Sequence, residues 1–175
     1  MRRRDVLTGL SGAGILGAAG ILHVRGVPFG SNVGDEPAHE PKTLAGVEAP
    51  GSEGTPQTIP AVGQPTFLVF FATTCTVCIA EMPELAAASD RFPDVKFISV
   101  TAETRDYVSD EELASWWNEH GGSWQLARDD GYELVRYYSR ATPTAALFDA
   151  DGRLHWEETG KKSADEIATL IEHLP

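Results

Sequence analysis

Two cysteines, Cys75 and Cys78, stand three residues apart where a continuous apolar run gives way to a helix-forming stretch. The run Thr66–Phe71 is unbroken and rich in β-branched and aromatic residues, which is the pattern of a strand buried on both faces. Ala72 to Thr74 read as a turn, and residues 76 to 91 as a helix bent by the internal Pro83. Across one helical turn, residues i and i+3 place their Cβ atoms about 5–6 Å apart, close to what a disulfide requires. The backbone therefore accommodates either the dithiol or the disulfide. These are the only cysteines, so a framework of structural crosslinks is impossible. A crosslink closing so short a loop stabilises by only about 2 kcal/mol, against about 3 for a fifteen-residue loop. A redox purpose fits it better than a structural one. Cys75 precedes the helix, where unpaired N–H groups and the helix dipole favour a thiolate, so it is the expected nucleophile. Cys78, one turn inside and more buried, is the expected resolving thiol. Zinc would need a second ligand pair, and the five histidines are scattered without a His-x-x-x-His spacing. No metal site is expected.

Further along, Val95–Thr101 reads as a second buried strand. Ser109 with Glu112 three residues on marks a helix start, and that helix ends at Gly121–Gly122. A short strand at Trp124–Ala127, a short helix at Tyr132–Tyr138, a strand at Pro143–Phe148, a turn at Asp149–Gly152 and a strand at Arg153–Glu158 follow. Ser163 with Glu166 opens the closing helix. The order β-α-β-α-β-α-β-β-α implies an α/β fold: a central sheet with helices on both faces, made mixed by the final hairpin. Lys42–Val47 and Gln57–Ala61 predict a small hairpin on its edge. Trp116, Trp117, Trp124 and Trp156 are expected to pack, and His120 and His155 to be structural or solvated.

The amino terminus reads as an address. Arg2, Arg3 and Arg4 precede an uncharged run from Gly9 to Leu22 that is rich in glycine and alanine. A basic start followed by an apolar run marks export, and the register Arg-Arg-x-Val-Leu resembles the twin-arginine signal. A cleaved signal and a retained anchor fit this stretch equally well. Either places the remaining chain outside the cytoplasm, secreted or held at the outer face of the membrane. The expected organisation is a signal or anchor over 1–30, a linker over 31–41 and one domain over 42–175. Without residues 1–30 the chain carries 10 basic against 25 acidic residues. So acidic a surface repels nucleic acid and anionic lipid, and favours cationic partners or simply solubility.

Two segments carry a family resemblance. Gln64–Leu85 and Ala141–Gly152 together resemble the TlpA/ResA-like branch of the thioredoxin fold, over roughly Lys42 to Leu174. The resemblance implies a thioredoxin fold with a short amino-terminal extension and a thiol–disulfide oxidoreductase whose only redox group is its own Cys75–Cys78 pair. It implies that Pro143, after Thr142, is a cis proline facing the cysteines, and that the Thr142 backbone pairs with an extended client segment. Thr74, Thr76 and Val77 would border that contact. Plain thioredoxins carry a buried acid where this chain has Val69. The branch instead has a glutamate three residues after the second cysteine, which is Glu81 here. The implied role is to take the proton of Cys78; a solvated helix glutamate is the plainer reading of the same residue. The family's tryptophan before the first cysteine is Thr74 here, and the dipeptide Thr76–Val77 lacks proline. Implied partners are thiols and disulfides of exported proteins, with apocytochrome c and copper-site assembly factors as typical clients, and a membrane thiol as electron donor, the chain itself being a monomer. A dithiol oxidant or isomerase, or a copper-binding metallochaperone of the same fold, are the competing readings.

Overall fold

The computed structural model describes residues 40–138 and 141–175. The signal or anchor over 1–30 and nearly all of the linker over 31–41 lie outside the described residues.

The stretch Thr66–Phe71 forms an interior strand, β5, of a seven-stranded sheet, and all six of its residues are buried. Alternation along it divides the interior. Phe67, Val69 and Phe71 join one hydrophobic cluster, and Leu68 and Phe70 the other. Strand β6 (Lys96–Thr101) pairs parallel with β5, and β7 (Gln125–Arg128) pairs parallel with β6. On the other side β8 (Thr144–Phe148) runs antiparallel to β5, and β9 (Leu154–Thr159) antiparallel to β8. The sheet is mixed, as the sequence implies. Its remaining strands are β1 (Lys42–Gly46) and β4 (Gln57–Ile59), an antiparallel pair in which β1 also pairs antiparallel with β7. The amino-terminal hairpin thereby extends the sheet past β7 to give the order β4-β1-β7-β6-β5-β8-β9. A second two-stranded ribbon, β2 (Glu48–Ala49) with β3 (Ser52–Glu53), lies between them and has no counterpart in the sequence reading.

Helices flank both faces, but unequally. Helix α1 (Thr76–Arg91), α2 (Asp110–Glu119) and α4 (Ala164–Glu172) pack on the face of Phe67, Val69 and Phe71. On the opposite face, among the described residues, only α3 (Val135–Tyr138) covers the sheet, with Leu44 and Ile59 beside it. Capping boxes at Ser109–Glu112 and Ser163–Glu166 start α2 and α4, each satisfying otherwise unpaired first-turn N–H groups. The sequence reading started α3 at Tyr132, whereas the helix starts at Val135. The reason is Asp129, a buried carboxylate that accepts the N–H groups of Glu133, Leu134 and Val135. Tyr132 turns the chain with φ at 53° ahead of it.

All four tryptophans pack. Trp117 is fully buried, donates Nε1–H to the Pro50 carbonyl at 3.1 Å, and meets Trp124 edge-on at 4.8 Å. Trp156 is buried, and Trp116 stacks on Phe71 at 5.2 Å. Of the histidines, His120 ends α2, and His155 pairs with Asp149 at 2.7 Å in the terminal hairpin. The backbone of Gly122 lies so close under the Trp117 ring that an added Cβ would come within 2.2 Å of it. Trp117→Ala should therefore cost about 3–5 kcal/mol of unfolding free energy, read from the urea midpoint. A loss below about 1 kcal/mol would show that this cluster does not hold the sheet to α2.

Candidate active site

Cys75 is the N-cap of α1, with extended backbone, and its Sγ accepts the N–H of Cys78 at 3.1 Å. No acidic residue occupies the first turn of α1, so no carboxylate there offsets the helix's positive end. Cys75 and Cys78 form a disulfide with their Cα atoms 5.2 Å apart. Cys75 is half-buried, whereas Cys78 is 3% exposed. Attack from outside thus reaches Cys75 first.

Facing Cys75 is the loop that enters β8. The Thr142–Pro143 peptide bond is cis, and the Thr142 carbonyl oxygen lies 3.5 Å from the Cys75 Sγ. Thr142 is exposed and Pro143 buried, and the Pro143 carbonyl accepts the N–H of Gly160 at 2.8 Å. Thr74 and Thr76 are exposed beside Cys75, and Val77 is 47% exposed. The structure therefore brings Thr142, Pro143, Thr74, Thr76 and Val77 around one sulfur. Val69, at the position of the thioredoxin acid, is buried among apolar side chains.

Glu81 lies one turn beyond Cys78 on α1 and is 1% exposed, so the solvated reading does not apply. Its Oε1 accepts the backbone N–H of Lys162 at 2.7 Å, while Oε2 is buried without a hydrogen-bond partner among the described residues. Burial in this apolar setting raises its pKa to about 7, against the lowering effects of the Lys162 N–H and of the Lys162 and Lys161 charges.

Glu103, which the sequence reading passed over, anchors the turn that leads into Cys75. The N–H and Oγ1 of Thr73 donate to its two carboxylate oxygens, each at 2.9 Å, and Thr101 Oγ1 donates to it at 3.0 Å. The Glu103 carbonyl in turn accepts from the buried Arg128, which also bonds Asp110 and the Val108 carbonyl. A carboxylate just past the C-terminal end of a buried parallel strand, where α/β sheets place their sites, was the available signal. Between these loops lies a cavity of about 370 Å³ lined by Phe71, Glu103, Tyr107, Tyr132 and Thr142 among others. Among the described residues, no group of three or more His, Cys, Asp or Glu side chains is placed to hold a metal ion.

Residues 38–171 match the Redoxin family. The chain belongs to that family. Curated relatives of this Redoxin chain are thiol-disulfide oxidoreductases named ResA. Those from Bacillus thuringiensis (strain Al Hakam) and Bacillus cereus are 25% and 24% identical over 115 residues. These alignments span 64% of this chain and 64% of the relatives' length, just under two thirds. Over that span the chain is similar to them, in keeping with the TlpA/ResA-like resemblance of its sequence. Among solved structures, StoA from Bacillus subtilis superposes with a TM-score of 0.64 at 21% identity, over 78% of this chain and 98% of its own. The exposed lipoprotein thioredoxin Etrx1 from Streptococcus pneumoniae gives 0.64 at 21% identity, over 77% and 99%. These likenesses fix the thioredoxin-like fold.

The Glu81 carboxyl links stability to pH. Because its folded pKa stands above the ordinary 4.5, the folded chain holds a proton that the unfolded chain releases between pH 4.5 and about 7. Its contribution is thus full below pH 4.5 and lost as pH rises through 7, a change of up to about 3 kcal/mol. Urea unfolding at pH 5 and pH 8 should show this fall in the wild type, relative to E81Q. An identical pH dependence in both proteins would refute the raised carboxyl.

Proposed function

We propose that the chain is an extracytoplasmic thiol–disulfide oxidoreductase that reduces disulfides of exported proteins through Cys75 and Cys78. The observation that carries this reading is the accessible sulfur of Cys75 at the α1 N-terminus, set 3.5 Å from the Thr142 carbonyl with its partner Cys78 buried behind it. The names of the ResA relatives support the activity. The sequence Arg2–Leu22, read as an export signal, supports the location. Among the described residues, no helix is long and apolar enough to cross a membrane.

In the reduced chain the Cys75 thiolate attacks a client disulfide. A mixed disulfide forms on Cys75, and one client sulfur leaves as thiolate. Cys78 then gives its proton to Glu81 and attacks the Cys75 sulfur. The Cys75–Cys78 disulfide forms and the second client thiolate leaves, so two electrons pass from the chain to the client. A pKa of about 7 suits Glu81 to this transfer at neutral pH. The exposed Thr142 backbone offers edge pairing for an extended client segment, and Thr74, Thr76 and Val77 border it. No bound cofactor enters this scheme; a membrane dithiol would restore the reduced pair. Apocytochrome c and copper-site assembly factors are the client classes to test first. The opposite direction, oxidation or isomerisation, uses the same atoms, and the reduction potential of the pair against glutathione separates the two.

Cys78→Ala should accumulate client proteins as mixed disulfides on Cys75 when expressed in the native host, and Cys75→Ala should capture none. Equal capture by both variants would defeat the assignment of nucleophile. E81Q should slow release of the mixed disulfide at pH 7 by about a hundredfold, measured in stopped flow with oxidised glutathione. An unchanged rate would remove Glu81 from the mechanism.

A further inference from the structure

Lys162 is an unusual lysine. It is 6% exposed, in a class of side chain almost never so buried without a partner. Its ammonium donates to the Gly160 carbonyl at 2.8 Å, stands 5.4 Å over the Trp156 ring, and has Glu158 as a carboxylate at 3.9 Å. Its backbone N–H is the donor to Glu81 Oε1. Two residues earlier, the Gly160 N–H donates to the Pro143 carbonyl. One tripeptide therefore bridges the acid beneath the disulfide and the loop facing Cys75. The lysine side chain folds back to close that tripeptide on itself.

We propose that Lys162 is a positioning residue of the redox reaction, holding Glu81 and the Pro143 loop in one strap and supplying the charge that keeps the Glu81 carboxyl ionisable. This rests on the reading of Glu81 as proton acceptor for Cys78. The geometry gives the two carboxyl oxygens different work. Oε1 is committed as acceptor to the Lys162 N–H, so the proton is carried by Oε2, which has no partner among the described residues. The charged groups around the acid come from several elements. Lys161 and Lys162 belong to the strap, and Glu84 stands one turn further along α1. Glu84 pairs with Lys161 at 3.7 Å and accepts the N–H of Ala164 at 3.0 Å. Glu158, on β9, faces Lys162 rather than Glu81. Lys161 is paired with Glu84 and Lys162 with Glu158, and of the two lysines Lys162 is the buried one. Burial pushes the Glu81 proton affinity up; the Lys162 N–H pulls it down, followed by the Lys162 charge and then the Lys161 charge. Without the ammonium a larger share of the carboxyl would be protonated at neutral pH, with less capacity for the Cys78 proton.

The test uses the full chain with K162M, K162Q and K162R. The Glu81 carboxyl is titrated by carbon-13 NMR in the disulfide form, where no exchange takes place. Release of the mixed disulfide with oxidised glutathione is then followed against pH. K162M and K162Q should each raise the Glu81 midpoint by about one pH unit and move the pH profile of release upward with it, while K162R should restore both. A midpoint unmoved in both neutral variants overturns the proposal. So does a moved midpoint with an unmoved release profile, because Lys162 would then act on the carboxyl without acting on the reaction. A wild-type chain that exchanges with no disulfide defeats the oxidoreductase reading instead, and the titration distinguishes that failure from the others.

Discussion

The hydrogen bond from the Cys78 N–H to the Cys75 sulfur organises everything around it. It makes a cysteine the cap of α1, so the proposed nucleophile sits where the helix's unpaired donors converge. The same bond fixes the distance between the two sulfurs, because N-cap and N3 are three residues apart. A capping serine or aspartate would satisfy the helix equally well and leave no chemistry. Here the group that starts the helix is also the group that the proposed reaction consumes and regenerates.

Three supports hold that cap in place, each from a different part of the sheet. The strand β5 delivers the chain to the turn from a fully buried position. Glu103, at the end of β6, ties down Thr73 ahead of the cysteine. The loop into β8 brings the Thr142 carbonyl against the sulfur. Beneath them Glu81 is buried, with one oxygen bonded and the other without a partner among the described residues. An arrangement that keeps a carboxyl buried and near-neutral costs stability at pH 7. Strain of this kind is tolerated where function uses it.

Local patterns in the sequence were enough for most of the fold. The buried strand, the Cys-x-x-Cys turn and both capping boxes need only nearest neighbours to be read. The start of α3 was misjudged because Asp129 draws three successive N–H groups onto one carboxylate, and helix periodicity does not register such a cap. The lopsided distribution of helices was hidden too, since the pattern gives each helix an apolar face without saying which side of the sheet it meets. In the site, the cysteines were legible from spacing and position, whereas Thr142, Pro143 and Glu81 were picked out by family resemblance. What the sequence concealed was long-range. Lys162 is 81 residues from Glu81, and Glu103 is 30 from Thr73. Only the folded sheet brings them together.

The central claim is that the α1 N-terminus makes Cys75 a thiolate in the reduced chain. Its most direct measurement is the rate of Cys75 alkylation by iodoacetamide at pH 7, in the folded reduced chain and in the same chain unfolded in urea. Alkylation should be about fivefold or more faster in the folded chain. An equal or slower rate in the folded chain, with Cys75 still accessible, would contradict it.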